Sequence, residues 1–113
     1  MVFQKQLNHT RGIAINYKCF GDAYEGLGDL DEALKNYHKS LNYNTQINST
    51  IGKVICGYNI ANVLIKQKKY NQALKTVDTI LQLAIQEKDM FYLSSTYNTL
   101  GLAQLHSNKL QSA

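Results

Sequence analysis

The side chains able to do chemistry in this sequence are few and scattered. Histidines stand at 9, 38 and 106, cysteines at 19 and 56, and the acids Asp22, Glu25, Asp29, Asp31 and Glu32 crowd one stretch. A nucleophilic enzyme needs its serine, threonine or cysteine beside an activating base. No serine or threonine here has a His or Lys at a spacing that suggests activation, and the three histidines fall in separate segments where solvated rings are expected. Cys19 and Cys56 form no C-x-x-C motif and have no paired His spacing, so two small, buried or half-buried thiols are expected rather than a disulfide or metal site. Calcium loops place acids at alternate positions of one loop. Here Asp29 followed by Glu32 instead has the spacing of a capping-box pair at a helix start. Gly21, Gly26 and Gly28 follow no strand, so they make no dinucleotide-binding loop. These readings predict a protein that is not an enzyme and carries no cofactor or metal.

The elements that would position these residues are helices. Apolar side chains recur at helical spacing at Ile13, Tyr17, Phe20, Tyr24 and Leu27, then at Leu30, Ala33, Leu34, Tyr37 and Leu41. Gly26, Gly28 and Asp29 separate the two stripes. The pattern returns 40 residues on. Gly21 falls on Ala61 and Gly101, Ala33 on Ala73 and Ala113, and Phe20 on Ile60 and Leu100. Self-similarity at a fixed period of this length is the mark of stacked repeats. Small residues at these positions let two helices of a hairpin approach closely. Turns are expected at Asn42–Ser49, Gln67–Lys69, Glu87–Asp89 and His106–Lys109, with Thr10 as a helix N-cap. The division that follows is the tail of a preceding repeat at 1–9, repeats at 10–49 and 50–89, and a truncated third at 90–113. A chain so divided is expected to be a fragment of a longer array.

Composition agrees with this reading. The chain has 113 residues, 44% of them hydrophobic, and no proline, as expected for nearly continuous helix with short turns. No apolar run approaches the ~20 residues of a membrane span, and the first residues lack a signal-peptide core. Neither nucleic acid nor membrane contact is expected, and a cytoplasmic location is. The net charge of +4 is mild and Arg11 is the single arginine, a poor supply for nucleic-acid recognition. The acidic stretch at 22–32 and Lys66, Lys68, Lys69 and Lys75 fall on equivalent edges of successive units. A solvated edge whose ion pairs contribute little is expected there.

The first unit reads Y-x2-F-G-x2-Y from Tyr17 to Tyr24, then A-x3-Y from Ala33 to Tyr37. This resembles the tetratricopeptide repeat, whose signature is W-x2-L-G-x2-Y followed by A-x3-F and a proline. The second unit is degenerate, and the third matches as Y-x2-L-G-x2-Q from Tyr97 to Gln104. The period of 40 and the missing proline depart from the short repeat and resemble a longer-repeat subclass. The resemblance implies an all-α array of antiparallel helix hairpins forming a right-handed superhelix. It also implies a function: a scaffold that binds a protein or peptide along its concave face, within a larger signalling or regulatory protein. Two rivals are a regulatory module fused to an enzyme such as a kinase or cyclase, and RNA binding by helical repeats.

Motif alignment implies which side chains would meet the partner. They are Ile15, Lys18, Cys19, Asp22 and Glu25 in the first unit, and Ile55, Tyr58, Asn59, Asn62, Ile65 and Lys66 in the second. In the third they are Ser95, Asn98, Thr99, Leu102, Leu105 and His106. Of these, Lys18, Asp22, Tyr58, Asn59, Asn62, Lys66 and Asn98 are the candidate peptide-binding residues. Side-chain amides can both donate to and accept from an extended backbone. One subfamily grips a C-terminal carboxylate with Lys, Asn, Asn, Lys and Arg. Lys18 and Asn59 match that clamp, but Asp22, Ser95 and Thr99 do not, so that activity is not expected.

A repeat buries its hydrophobic face only against a neighbour, and the third unit has almost no second helix. Apolar surface from Tyr97, Leu100 and Leu105 and from the stripe Leu74, Val77 and Leu81 is therefore expected to drive self-association through the terminal helices. Sedimentation at tens of micromolar should show a concentration-dependent dimer that reverts to monomer when a second helix is added to the third unit. A short form that stays monomeric at every concentration would refute this.

Overall fold

In the computed structural model, which describes residues 2–112 and the side chains of residues 5–107, the chain is five helices and the short turns between them. They are α1 (Val2–Gly26), α2 (Leu30–Gln46), α3 (Thr50–Lys66), α4 (Tyr70–Glu87) and α5 (Met90–Ser112). No described helix is long and apolar enough to cross a membrane. The expected all-α architecture is thus present, as a helical repeat.

The turns set the period. Gly28, Asn48, Lys68 and Lys88 all have positive φ, at 83°, 51°, 65° and 58°. They are evenly spaced, two to each repeat. At the first three, the same pair of backbone bonds closes the helix end. The Gly28 N–H donates to the Glu25 carbonyl and the Asp29 N–H to the Tyr24 carbonyl. Asn48 and Ser49 do the same toward Thr45 and Asn44, and Lys68 and Lys69 toward Ile65 and Leu64. This is the Schellman closure, which needs a left-handed residue just past the helix. Glycine takes that conformation freely; lysine does so at roughly 1–2 kcal/mol. Packing between the two helices of each hairpin must offset that strain at Lys68 and Lys88. Side-chain caps then start the next helix. Asp29 accepts from the Glu32 N–H at 3.3 Å, as expected, and Ser49 accepts from the Gly52 N–H at 3.1 Å.

Two expected breaks are absent. Thr10 is not an N-cap but lies inside α1, and α5 runs unbroken through His106–Lys109. Asn8 and Asn108 occupy the positions that break the chain elsewhere. A break gives up helical hydrogen bonds and needs a left-handed residue, so it forms only where the following helix packs back on the preceding one. His9 also stands where Ser49 caps α3, and imidazole is no substitute for a capping oxygen.

The helices form two layers, with α1, α3 and α5 in one and α2 and α4 in the other. α3 is central, packing on α2, α4 and α5. The core therefore gathers around it: Ile60, Ala61, Val63 and Leu64 meet Ala33, Tyr37, Ala73, Val77 and Ala103. The stripe expected on α1 is only partly buried. Phe20 is 54% exposed and Leu27 80% exposed, while the equivalent Ile60 is 2% exposed. The difference is that α2 covers Ile60's side of α3, and no described helix covers that side of α1. Tyr17 is half-buried, stacked on Tyr43 at 5.7 Å.

Gly21 marks a close approach between α1 and α2. A Cβ there would lie 2.6 Å from Cδ1 and Cε1 of the buried Tyr37 ring, whereas one on Gly101 would meet nothing within 4 Å. Gly21→Ala should therefore destabilise the fold by about 1–3 kcal/mol through overpacking. Gly101→Ala should stabilise it by about 0.5–1 kcal/mol through helix propensity alone. Urea denaturation of both variants checks this, and equal shifts would contradict the close-contact assignment.

Candidate functional site

The candidate side chains lie on the α1, α3 and α5 layer. On α1, Arg11, Ile15, Lys18, Asp22 and Glu25 follow one another at helical spacing along a face. On α3, Ile55, Asn59, Asn62 and Lys66 do the same. Asn98 and Leu102 are exposed on α5. Thr99 and His106 depart from expectation. Thr99 is only 2% exposed and its hydroxyl donates to the Ser95 carbonyl at 3.1 Å. His106 stacks on Tyr70 at 5.4 Å instead of standing in solvent. Cys19 is exposed rather than half-buried.

Three of the seven candidates are already engaged within the chain. Lys18 Nζ pairs with Asp22 Oδ2 at 2.8 Å, one turn along α1. Asp22 Oδ1 lies 2.6 Å from the Tyr37 hydroxyl, and Glu25 Oε1 lies 2.8 Å from the same hydroxyl. Glu25 Oε2 in turn pairs with Lys66 Nζ at 2.6 Å. The result is one polar chain, Lys18–Asp22–Tyr37–Glu25–Lys66, tying α1 to both α2 and α3. The phenol has one proton and two carboxylate neighbours, so it donates to one at a time. The two lysines offset the charge that gathers around it. The solvated edge expected here carries an ion pair at Glu25, with the Lys66 side chain still 52% exposed, and Gln67 Nε2 adds a bond to Asp31 Oδ1 at 2.9 Å. Tyr37 is the member that sequence reasoning assigned only to the core. Its signal was the co-occurrence of a tyrosine at the A-x3-Y position with two acids one turn apart on the preceding helix.

The other four candidates are free. Tyr58, Asn59 and Asn62 are half-buried and Asn98 is exposed, and none makes a side-chain hydrogen bond among the described residues. The Asn59 Nδ2 is shielded from solvent yet has no partner. Burial pushes the Tyr58 phenol pKa up, with Lys18 pulling the other way, so it stays protonated as a donor at neutral pH. The hydrogen bond to Asp22 leads in raising Lys18 above the ordinary lysine range, which keeps it cationic.

A second polar chain runs beneath this face. The Ser40 hydroxyl donates to the Ala14 carbonyl at 2.7 Å, the Cys56 thiol donates to Ser40 Oγ at 3.2 Å, and Asn44 Nδ2 donates to the Ser40 carbonyl at 3.1 Å. Burial pushes the Cys56 thiol pKa up, holding it in the protonated form that donates. Above this chain opens a cleft of about 270 Å³ between α1 and α3, lined by Ala14, Ile15, Lys18, Cys19, Ile55 and Cys56, among others.

No protein-family model matches the chain. Over 66 residues it is 33% identical to the 43 kDa receptor-associated protein of the synapse from Tetronarce californica. That match covers 58% of this chain and 16% of the relative, so the chain spans only a small part of the relative's length.

Burial first, then the bonds to Asp22 and Glu25, hold the Tyr37 phenol far above its ordinary pKa. The folded pKa exceeds the unfolded value of about 10, so this stabilisation is present below about pH 10 and fades as pH rises further. The Tyr37→Phe variant should be less stable than the parent at pH 7 and lose less of its stability between neutral and strongly alkaline pH. Denaturation midpoints across that range measure it; parallel profiles would show that Tyr37 does not govern the alkaline limb.

Proposed function

We propose that the chain is a protein- or peptide-binding scaffold module of the tetratricopeptide type, using the concave face of a right-handed array. The α1, α3 and α5 layer is that face. One observation carries the reading: Tyr58, Asn59, Asn62 and Asn98 cluster on it without intramolecular hydrogen bonds, and Asn59 holds a shielded donor with no acceptor. Unpaired buried donors are uncommon in folded proteins. Rotation of the amide about its soft terminal torsion lets it meet the carbonyl of an extended segment. The evenly spaced turns and the Gly21–Tyr37 approach support the repeat type. The similarity to a receptor-associated protein supports association with another protein as its role.

RNA binding is the weaker reading, because Asp22 and Glu25 occupy the same face and much of its positive charge is already paired. A gel shift with labelled single-stranded RNA over a salt series tests it directly.

Changing Asn59 and Asn62 together to Ala should weaken binding of peptides selected from a randomised bead library by about fivefold or more, on the order of one net hydrogen bond. The melting temperature should hold or rise, since Asn59 leaves no satisfied bond behind. Unchanged peptide affinity would move the site off this layer.

A further inference from the structure

We propose that the cleft between α1 and α3 is a specificity pocket that takes one aliphatic side chain of an extended segment whose neighbouring residues are acidic. This rests on the groove reading above and adds the chemistry of the partner.

The cleft coincides with a difference visible in the internal repeat. Lys18 and Gly52 stand at its sides, and their equivalents one repeat on are Tyr58 and Tyr92. Those two tyrosines are half-buried, near enough for Tyr92 to act on the Tyr58 phenol, and put bulky side chains at the positions equivalent to Lys18 and Gly52. Between α1 and α3 the chain supplies no such side chain, and about 270 Å³ stays open. That is slightly less than the roughly 300–1,000 Å³ of small-molecule and cofactor sites, and suits one inserted side chain.

The floor decides its polarity. Asn44 Nδ2, the Cys56 thiol and the Ser40 hydroxyl are spent on one another and on the Ala14 and Ser40 carbonyls. Ile15, 55% exposed, and Ile55 form apolar walls. A polar side chain entering here would lose its water and gain little; an aliphatic one would gain burial.

The rim decides the charge of the flanks. Lys18 lines the cleft with its side chain 37% exposed. Arg11 lies on the same face of α1, exposed and without an ion-pair partner among the described residues. No acid lines the cleft, and Asp22, the nearest on that face, is already paired with Lys18. Acidic residues flanking the inserted side chain would meet Arg11, the cation on this face of α1 without an ion-pair partner among the described residues.

The test uses the full chain and fluorescein-labelled short peptides read by anisotropy. The parent peptide has a central Leu between two Glu; one variant carries Ser for Leu and another Lys for both Glu. Both variants should bind at least about tenfold more weakly, the scale of losing an apolar side chain from its pocket. Arg11→Glu should weaken the parent peptide and favour the Lys-flanked one. Alkylating the exposed Cys19 at the rim with N-ethylmaleimide, which the buried Cys56 escapes, should block the parent peptide, and Cys19→Ser should be immune to the reagent. Binding that is abolished by the Asn59 and Asn62 changes but indifferent to alkylation and to Leu→Ser would overturn the pocket and keep the groove. Binding indifferent to all of these would overturn both. Absence of any binding by the parent peptide would overturn the pocket.

Discussion

The contact between Gly21 and the Tyr37 ring is the constraint around which the first half of the molecule is arranged. A fully buried tyrosine must place its hydroxyl, and this one lies between Asp22 and Glu25 on the helix that Gly21 lets it approach. Burying a phenol without a partner would be costly. Bringing two carboxylates to it would be costly as well, were each not held by a lysine. Lys18 comes from the same helix, but Lys66 comes from α3. The need to neutralise one buried contact inside a hairpin thus reaches into the next repeat through Lys66.

The internal repeat shows how such a network is dispensed with. One period on, Asp22, Glu25 and Tyr37 become Asn62, Ile65 and Val77. The polar partners vanish together, as expected when removal of one member alone would leave the others unsatisfied. Asn62 is then left at the surface of the layer with no internal partner. The same exchange occurs beneath the cleft, where Ser40, Asn44 and Cys56 correspond to Ile80, Ala84 and Thr96. The first interface between repeats therefore adds polar chains to its apolar packing, and the equivalent positions of the second carry mostly apolar residues. Open hydrogen-bonding groups concentrate on α3 and α5, and open space lies between α1 and α3.

Paired charges and uncommitted neutral groups are consequently separated along one face. Lys18, Asp22 and Lys66 carry charge but are committed internally, with Lys18 alone reaching the cleft. Tyr58, Asn59, Asn62 and Asn98 are neutral and uncommitted. Exposed ion pairs of this kind contribute little by themselves. Their value here is positional, because each fixes a carboxylate against a buried phenol.

Much of the fold was legible in the residues alone. The period of 40, the small residues at 21, 33, 61 and 73, the Asp29 cap and the turns at Gly28 and Lys68 depend on local chemistry and helical spacing. A sequence displays both directly. That Lys18, Asp22 and Glu25 share one face of α1 was legible too, since a helix face follows from spacing. What the sequence did not determine was which of the candidate residues are free. Lys18 and Asn59 look equally available along the chain, but only the packing of three helices brings Glu25, Tyr37 and Lys66 to one point. Nor did it determine where helices run on. Asn8 and Asn108 carry the same residue as the break at Asn48, and a left-handed turn forms only when the helix beyond it has a surface to pack against. The cleft likewise needed the tertiary structure, because empty space is a property of how neighbouring helices meet, not of any residue that lines it.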